Sequence, residues 1–316
     1  MTDPTSADVR RRTTLRDYLE LVRLPNLFTA AADVAMGLLF VRPAWAPGDA
    51  WLLGLLLLAS CLLYASGVVL NDLFDFAVDT RQRPERPLPS GRVSLRAARR
   101  LGWALLLSGM VPAWLCAVAV GHVRPAMVAG LLAVCILLYD AYLKRTPLGP
   151  LLMGGCRMLN VWLGMSVAAG PWQAEHCLVA GGIGTYVAGV TWFARTEAAR
   201  SSRLHLAAAA GLMILGIALV ASFPSWADDF AHPTKEQPVH WGTLMVILAA
   251  VIGWRCLRAV IEPAPARVQS VVKLCILWLV VLDAAVCYAA RGPVWAAAIL
   301  LLFLPAALLG RWIRLT

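Results

Sequence analysis

The sequence predicts an all-helical, polytopic membrane bundle, and three observations carry that prediction. Of 316 residues, 60% are hydrophobic and 15% charged, a balance that suits a bilayer rather than water. The apolar residues gather into ten runs, at about 18–41, 51–74, 101–121, 125–143, 148–169, 178–194, 205–223, 241–261, 268–290 and 293–311, most of them long enough to span. With the N-terminus in the cytoplasm, 21 Lys and Arg residues fall on the cytoplasmic side and four on the other, while Arg23, Arg157 and Lys273 lie within runs. That asymmetry orients the chain by the positive-inside rule. The net charge of +10 is therefore a topology signal, not a nucleic-acid footprint. The 13 Trp residues suit the interfaces, because many sit near run ends. The expected setting is a bacterial-type inner membrane, with the N-terminus cytoplasmic and the lipid bilayer as a partner.

Residues 1–16 read as a flexible basic arm (Arg10, Arg11, Arg12, Arg16) beside anionic headgroups, and 17–316 as a single transmembrane domain. No small-residue cleavage site precedes the first run, so it reads as a retained helix. It opens Leu21-Val22-Arg23-Leu24-Pro25-Asn26 and carries Asp33. Arg23 can snorkel to the interface. Asn26 and Asp33 lie deeper, where polar groups face a bundle interior. Ten residues of helix separate Arg23 from Asp33 by about 15 Å, so the two are not partners.

The second run ends in Asn71-Asp72-Leu73-Phe74-Asp75-Phe76-Ala77-Val78-Asp79. On a continuous helix Asn71, Asp75, Asp79 and Asp72 fall at about 0°, 40°, 80° and 100°, on one narrow face. Crowded carboxylates repel, and a hard cation such as Mg²⁺ relieves them. The plainer alternative is a solvated helix end with fortuitous acids. Thr80 to Arg92 follows, with three prolines, a glycine and four arginines in a turning loop. Carboxylates followed by arginines suit a polyanionic substrate, since Mg²⁺ bridges carboxylate to phosphate and Arg binds phosphate oxygens. Arg86 is expected to serve the site, whereas Arg81, Arg96, Arg99 and Arg100 set topology.

The fourth run ends Tyr139-Asp140-Ala141-Tyr142-Leu143-Lys144-Arg145, which puts Lys144 on the acidic cluster's side of the membrane. In the fifth, Arg157-Met158-Leu159-Asn160 echoes Arg23-x-x-Asn26, so both helices are expected to turn polar faces to one cavity. The sixth ends Ala194-Arg195-Thr196-Glu197-Ala198-Ala199-Arg200, where Glu197 is either a functional acid or half of a local ion pair. Asp283 lies inside the ninth run, where Arg157 would explain it as a buried partner. Eight scattered Cys read as small buried hydrophobes. Walker, G-x-G-x-x-G, G-x-S-x-G, H-E-x-x-H and EF-hand patterns are absent from the sequence.

Together these residues resemble the UbiA superfamily of intramembrane prenyltransferases. The likeness rests on Val22-Arg23-Leu24-Pro25-Asn26, N-D-x-x-D-x-x-x-D at 71–79, Arg86-Pro87-Leu88-Pro89-Ser90-Gly91-Arg92, Tyr139 to Lys144, and an acid after the sixth helix. It implies nine core helices around a cavity, with the tenth run an added or interfacial helix. It also implies Mg²⁺-dependent transfer of a polyprenyl group from its diphosphate to a small, often aromatic acceptor. On that resemblance Asn71, Asp72, Asp75, Asp79 and Glu197 hold the metal, and Arg86, Lys144 and Arg195 offset the diphosphate. Arg23 and Asn26, with the matching face of Arg157 and Asn160, orient the acceptor, and Asp140 accepts a proton. The family's second acidic motif is depleted here to a single Glu197 between arginines. In this the chain is similar to the UbiA-like branch of bacterial Ebo clusters. A non-catalytic lipid-binding or scaffold protein is the main alternative. A transporter of an isoprenoid-related metabolite fits less well, because its ionisable site belongs at mid-membrane. A membrane phosphotransferase would show a D-G-x-x-A-R signature, which is absent.

Overall fold

A chain in a bilayer must satisfy its backbone polar groups within itself, and the regular structure among the described residues is entirely helical. The computed structural model describes residues 13–42, 44–195, 202–227 and 238–312; the basic residues Arg10 to Arg12 and the acid Glu197 lie outside them. The helices are α1 (Leu15–Leu21), α2 (Leu24–Val41), α3 (Asp49–Phe74), α4 (Phe76–Gln82), α5 (Leu95–Val120) and α6 (Arg124–Leu138), the last continued by a π turn over Tyr139–Leu143. They continue as α7 (Gly149–Met165), α8 (Ala174–Ala194), α9 (Arg203–Ser222), α10 (Pro238–Ile261), α11 (Pro265–Arg291), α12 (Pro293–Leu301) and α13 (Phe303–Trp312).

Nine helical segments among the described residues are long and apolar enough to cross a membrane. The fifth run is not among them, because α7 has 17 residues and carries Arg157 and Asn160. It still crosses the bundle. Arg124 at the start of α6 donates to the carbonyls of Ala168 and Gly170 just beyond α7, at 2.8 and 2.7 Å. At the other end, Arg195 after α8 donates to the carbonyls of Lys144, at 2.9 Å, and Thr146, just before α7.

Three predicted continuities break, two of them at prolines. The first run divides into α1 and α2, because Pro25 has no N–H to give the Leu21 carbonyl. Arg23 between them adopts a left-handed backbone, φ 49°. The last run divides at Leu302, where Pro305 likewise leaves the Leu301 carbonyl, and α13 turns onto α2. The third break, at Asp75, separates α3 from α4 with φ −88° and ψ 0°.

Close helix crossings place α7 centrally. A Cβ on Gly164 would lie 2.2 Å from the Val34 carbonyl of α2, and one on Gly154 would lie 2.4 Å from the Gly184 carbonyl of α8. Small residues let backbones approach this closely in membranes. They bring Arg157 and Asn160 into the middle of the molecule.

Candidate active site

Ser60, Tyr64, Gly67 and Asn71 recur along α3 at spacings of four, three and four, which confines them to a stripe about 60° wide. That stripe forms one wall of a cavity of about 740 Å³, whose other walls come from α2, α6, α7, α8 and α11. Its mouth is polar, its waist apolar (Leu132, Ile136, Met153, Val187, Ile276, Leu279) and its floor polar again (Ser60, Arg157, Asn160).

At the mouth the break at Asp75 corrects the expectation of one continuous acidic face. The acids divide into two groups, each turned to its own cations. Asp72 accepts from Arg23 at 2.9 Å and from Arg86 at 3.5 Å, and Asp79 accepts from Arg86 at 2.7 Å. Lys144 donates to Asn71 at 2.6 Å and to Asp75, which also pairs with Arg145 at 3.3 Å. Like-charge repulsion is thus relieved by four cations of the chain itself. As a result no three His, Cys, Asp or Glu side chains converge at metal-binding spacing among the described residues. Magnesium held between a protein and a phosphate needs only one or two carboxylates. Asn71, Asp75 and Asp79 all line the cavity and offer oxygen donors, so the donor chemistry fits such an ion.

Arg86 is buried, and burial followed by the nearby Arg23 charge pulls its guanidinium below its ordinary value, offset in part by Asp72 and Asp79. Its loop is fixed by Arg92, which donates to Asp17 at 2.8 Å and to Glu20 at 2.8 and 3.0 Å, clasping α1 to the turn. The Glu20 hydrogen bonds raise the Arg92 pKa, so this clasp stays charged.

Arg23, Asn26, Asp140 and Arg195 also line the cavity. Arg23 does not snorkel outward; it turns to Asp72. Asp140 sits in the π turn of α6 with Oδ2 buried and unpartnered. Such turns insert a residue and re-aim side chains at functional sites. Arg195 spends Nη2 on the loop carbonyls that carry Lys144.

At the floor, Arg157 donates to Asp33 at 2.5 Å and to Thr29 at 2.6 Å, and lies over the Tyr64 ring at 5.5 Å. Asn160 donates to Asp33 and to the Ala30 carbonyl, both at 2.9 Å, and accepts from Ser60 at 2.7 Å. The hydrogen-bonded partner of Arg157 is therefore Asp33, not Asp283 as the sequence suggested. Sequence reasoning missed Arg145, Tyr64 and Ser60. The α3 spacing counted back from Asn71 would have found the last two.

Fold and cavity together define a polytopic helical membrane protein whose charged mouth and apolar interior suit an anionic amphiphile. Residues 31–316 match the UbiA prenyltransferase family, and the chain belongs to it. It is 36% identical over 168 residues to a digeranylgeranylglyceryl phosphate synthase of Ignicoccus hospitalis, covering 51% of this chain and 50% of that protein. Against the synthase of that name from Sulfolobus acidocaldarius it is 37% identical over 97 residues, covering 31% of this chain and 34% of that protein. The chain thus spans about a third to a half of the curated relatives it matches. Among solved structures, one concerned with digeranylgeranylglyceryl phosphate synthase superposes with a TM-score of 0.65 at 21% identity, over 87% of this chain and 98% of that one. A UbiA homologue from Archaeoglobus fulgidus bound to GPP and Mg²⁺ superposes with a TM-score of 0.60 at 15% identity, over 85% and 99%. These likenesses show the fold.

Proposed function

We propose that the protein transfers a prenyl group from a prenyl diphosphate to a membrane-held acceptor, with Mg²⁺, at a mouth facing the cytoplasm. The observation that carries this reading is the arrangement of the mouth. Carboxylates and cations are gathered in pairs directly above an apolar cavity, those of Asp75 with Lys144 and Arg145 partly exposed and those of Arg86 buried. A diphosphate arriving there would take over Arg86, Lys144 and Arg23, and Asp75, Asp79 and Asn71 are the residues that would hold the ion. Glu197, which follows α8 in the sequence and lies outside the described residues, is proposed as a further oxygen donor. A bound Mg²⁺ would supply neutralisation of charge growing on the leaving oxygen.

The allylic C–O bond breaks, and its electron pair leaves with pyrophosphate. Arg86 and Lys144 stabilise that charge as it develops. The apolar waist keeps water from the allylic cation. The acceptor's nucleophilic atom then bonds to the allylic carbon, and Asp140 takes the proton it sheds. Asn26 and Arg157 orient the acceptor. The relatives' product name adds a glyceryl phosphate lipid to the small aromatic molecules as an acceptor class.

The test is mass spectrometry of products from purified protein given geranylgeranyl diphosphate, Mg²⁺ and either geranylgeranylglyceryl phosphate or a hydroxybenzoate. Prenylated product that disappears with EDTA and with Asp79→Asn is expected. Folded protein that yields no prenylated product, yet binds the donor, would leave the lipid-binding scaffold in its place.

A further inference from the structure

Beneath the cavity floor lies a carboxylate that the transfer reaction leaves without a role. Asp283 of α11 is fully buried, and so is Asp33 of α2. Oδ2 of Asp33 accepts from Arg157 and Asn160. Its Oδ1 has no donor, and neither oxygen of Asp283 has one. Their helices pack against each other, and the Asp283 side chain lies within interaction range of Asp33.

Three helices place polar groups near the pair. From α7 come Arg157, whose charge Asp283 also feels, and neutral Asn160; from α2 comes Thr29; from α3 come Tyr64 and Ser60. Two ionised carboxylates against one guanidinium would leave a net negative charge in the membrane interior, and three acceptor oxygens with nothing to accept from. Both conditions are costly in a dry interior. One proton removes the first condition and reduces the second to a single oxygen of Asp283. It removes the excess charge, and it supplies the donor that Asp33 Oδ1 lacks. Carboxyl pairs in other proteins share a proton for the same reason.

We infer that Asp283 is held as a carboxylic acid donating a hydrogen bond to Oδ1 of Asp33, and that this neutral Asp283–Asp33–Arg157 unit positions Arg157 at the cavity floor. Asp283 is a positioning residue. It acts through Asp33, which fixes the guanidinium that lines the cavity. The functional half of this inference rests on the prenyl-transfer reading; the protonation half does not.

The experiment uses infrared spectroscopy and kinetics on the full chain in detergent. The wild type should show a protonated-carboxyl C=O band, shifted in D₂O, that Asp283→Asn removes. Asn reproduces the donor and the neutrality, so Asp283→Asn should keep the acceptor KM within about twofold. Asp283→Leu strips Asp33 Oδ1 of its donor, and should raise the acceptor KM about tenfold while leaving the donor KM unchanged. The kinetic probes are geranylgeranyl diphosphate and geranylgeranylglyceryl phosphate. Should Asp283→Leu fail to fold, Asp283→Thr, with a smaller hydroxyl donor, should fall between wild type and an Asp283→Val control. Loss of no carboxyl band on Asp283→Asn would overturn the inference, as would equal damage from Asn and Leu. Absence of all prenyl transfer would overturn the proposed function, while the infrared band would still decide the state of Asp283.

Discussion

The mouth and the floor of the cavity use the same vocabulary of aspartate, asparagine and basic residue, yet the Asp75 side of the mouth differs from the floor in burial. Arg86 with Asp72 and Asp79, on the other side of the mouth, is as buried as the floor. At the mouth the side chains of Asp75, Lys144 and Arg145 are 15%, 25% and 67% exposed. At the floor those of Asp33 and Arg157 are 0% and 10% exposed. Exposed ion pairs are weak and can be exchanged for a ligand. Buried ones are costly to break, because the partner left behind has no water to turn to. On the proposed reading, the same chemistry would serve as a replaceable counter-charge around Asp75 and as a fixed strut at the floor.

The comparison is broken most severely at the floor. Arg157→Ala leaves Asp33 charged and buried, and should cost about 3–5 kcal/mol of stability. A melting curve in detergent checks this, and an unchanged midpoint would show that the floor is not a strut. At the mouth Asp75→Ala should lower turnover about 10²–10³-fold while shifting stability by under about 1 kcal/mol. Paired thermal and product assays separate the two effects.

How much of this was legible in the sequence depends on what each feature rests on. The helices and the acidic stretch were legible, because apolar length and helical spacing are local properties. Asn26, Asp33, Arg157 and Asn160 were legible as interior residues, since polar groups at depth need partners. The pairing was not. Arg157 meets Asp33 only because Gly37, Gly154 and Gly164 let α7 press between α2 and α8, which is a tertiary fact. The break at Asp75 was also hidden, with neither Pro nor Gly to mark it. Its effect is to turn Asp72 and Asp79 to Arg23 and Arg86, and Asp75 to Lys144 and Arg145.

Two smaller changes sharpen the contrast. Gly164→Ala drives a Cβ toward the Val34 carbonyl and should destabilise by about 1–3 kcal/mol. It should also lower activity in proportion, by displacing Arg157. Arg145→Ala removes an exposed cation from a pair that Lys144 also serves. Donor affinity should fall by no more than about threefold, which a titration with geranylgeranyl diphosphate would read.

The most direct test of the central claim, that the mouth is an exchangeable diphosphate site, is calorimetric titration of geranylgeranyl diphosphate with and without Mg²⁺, into wild type and Asp75→Ala. Tight binding that needs both the ion and Asp75 is expected, in two proteins of similar thermal stability. Binding indifferent to Mg²⁺ and unchanged in Asp75→Ala would contradict it.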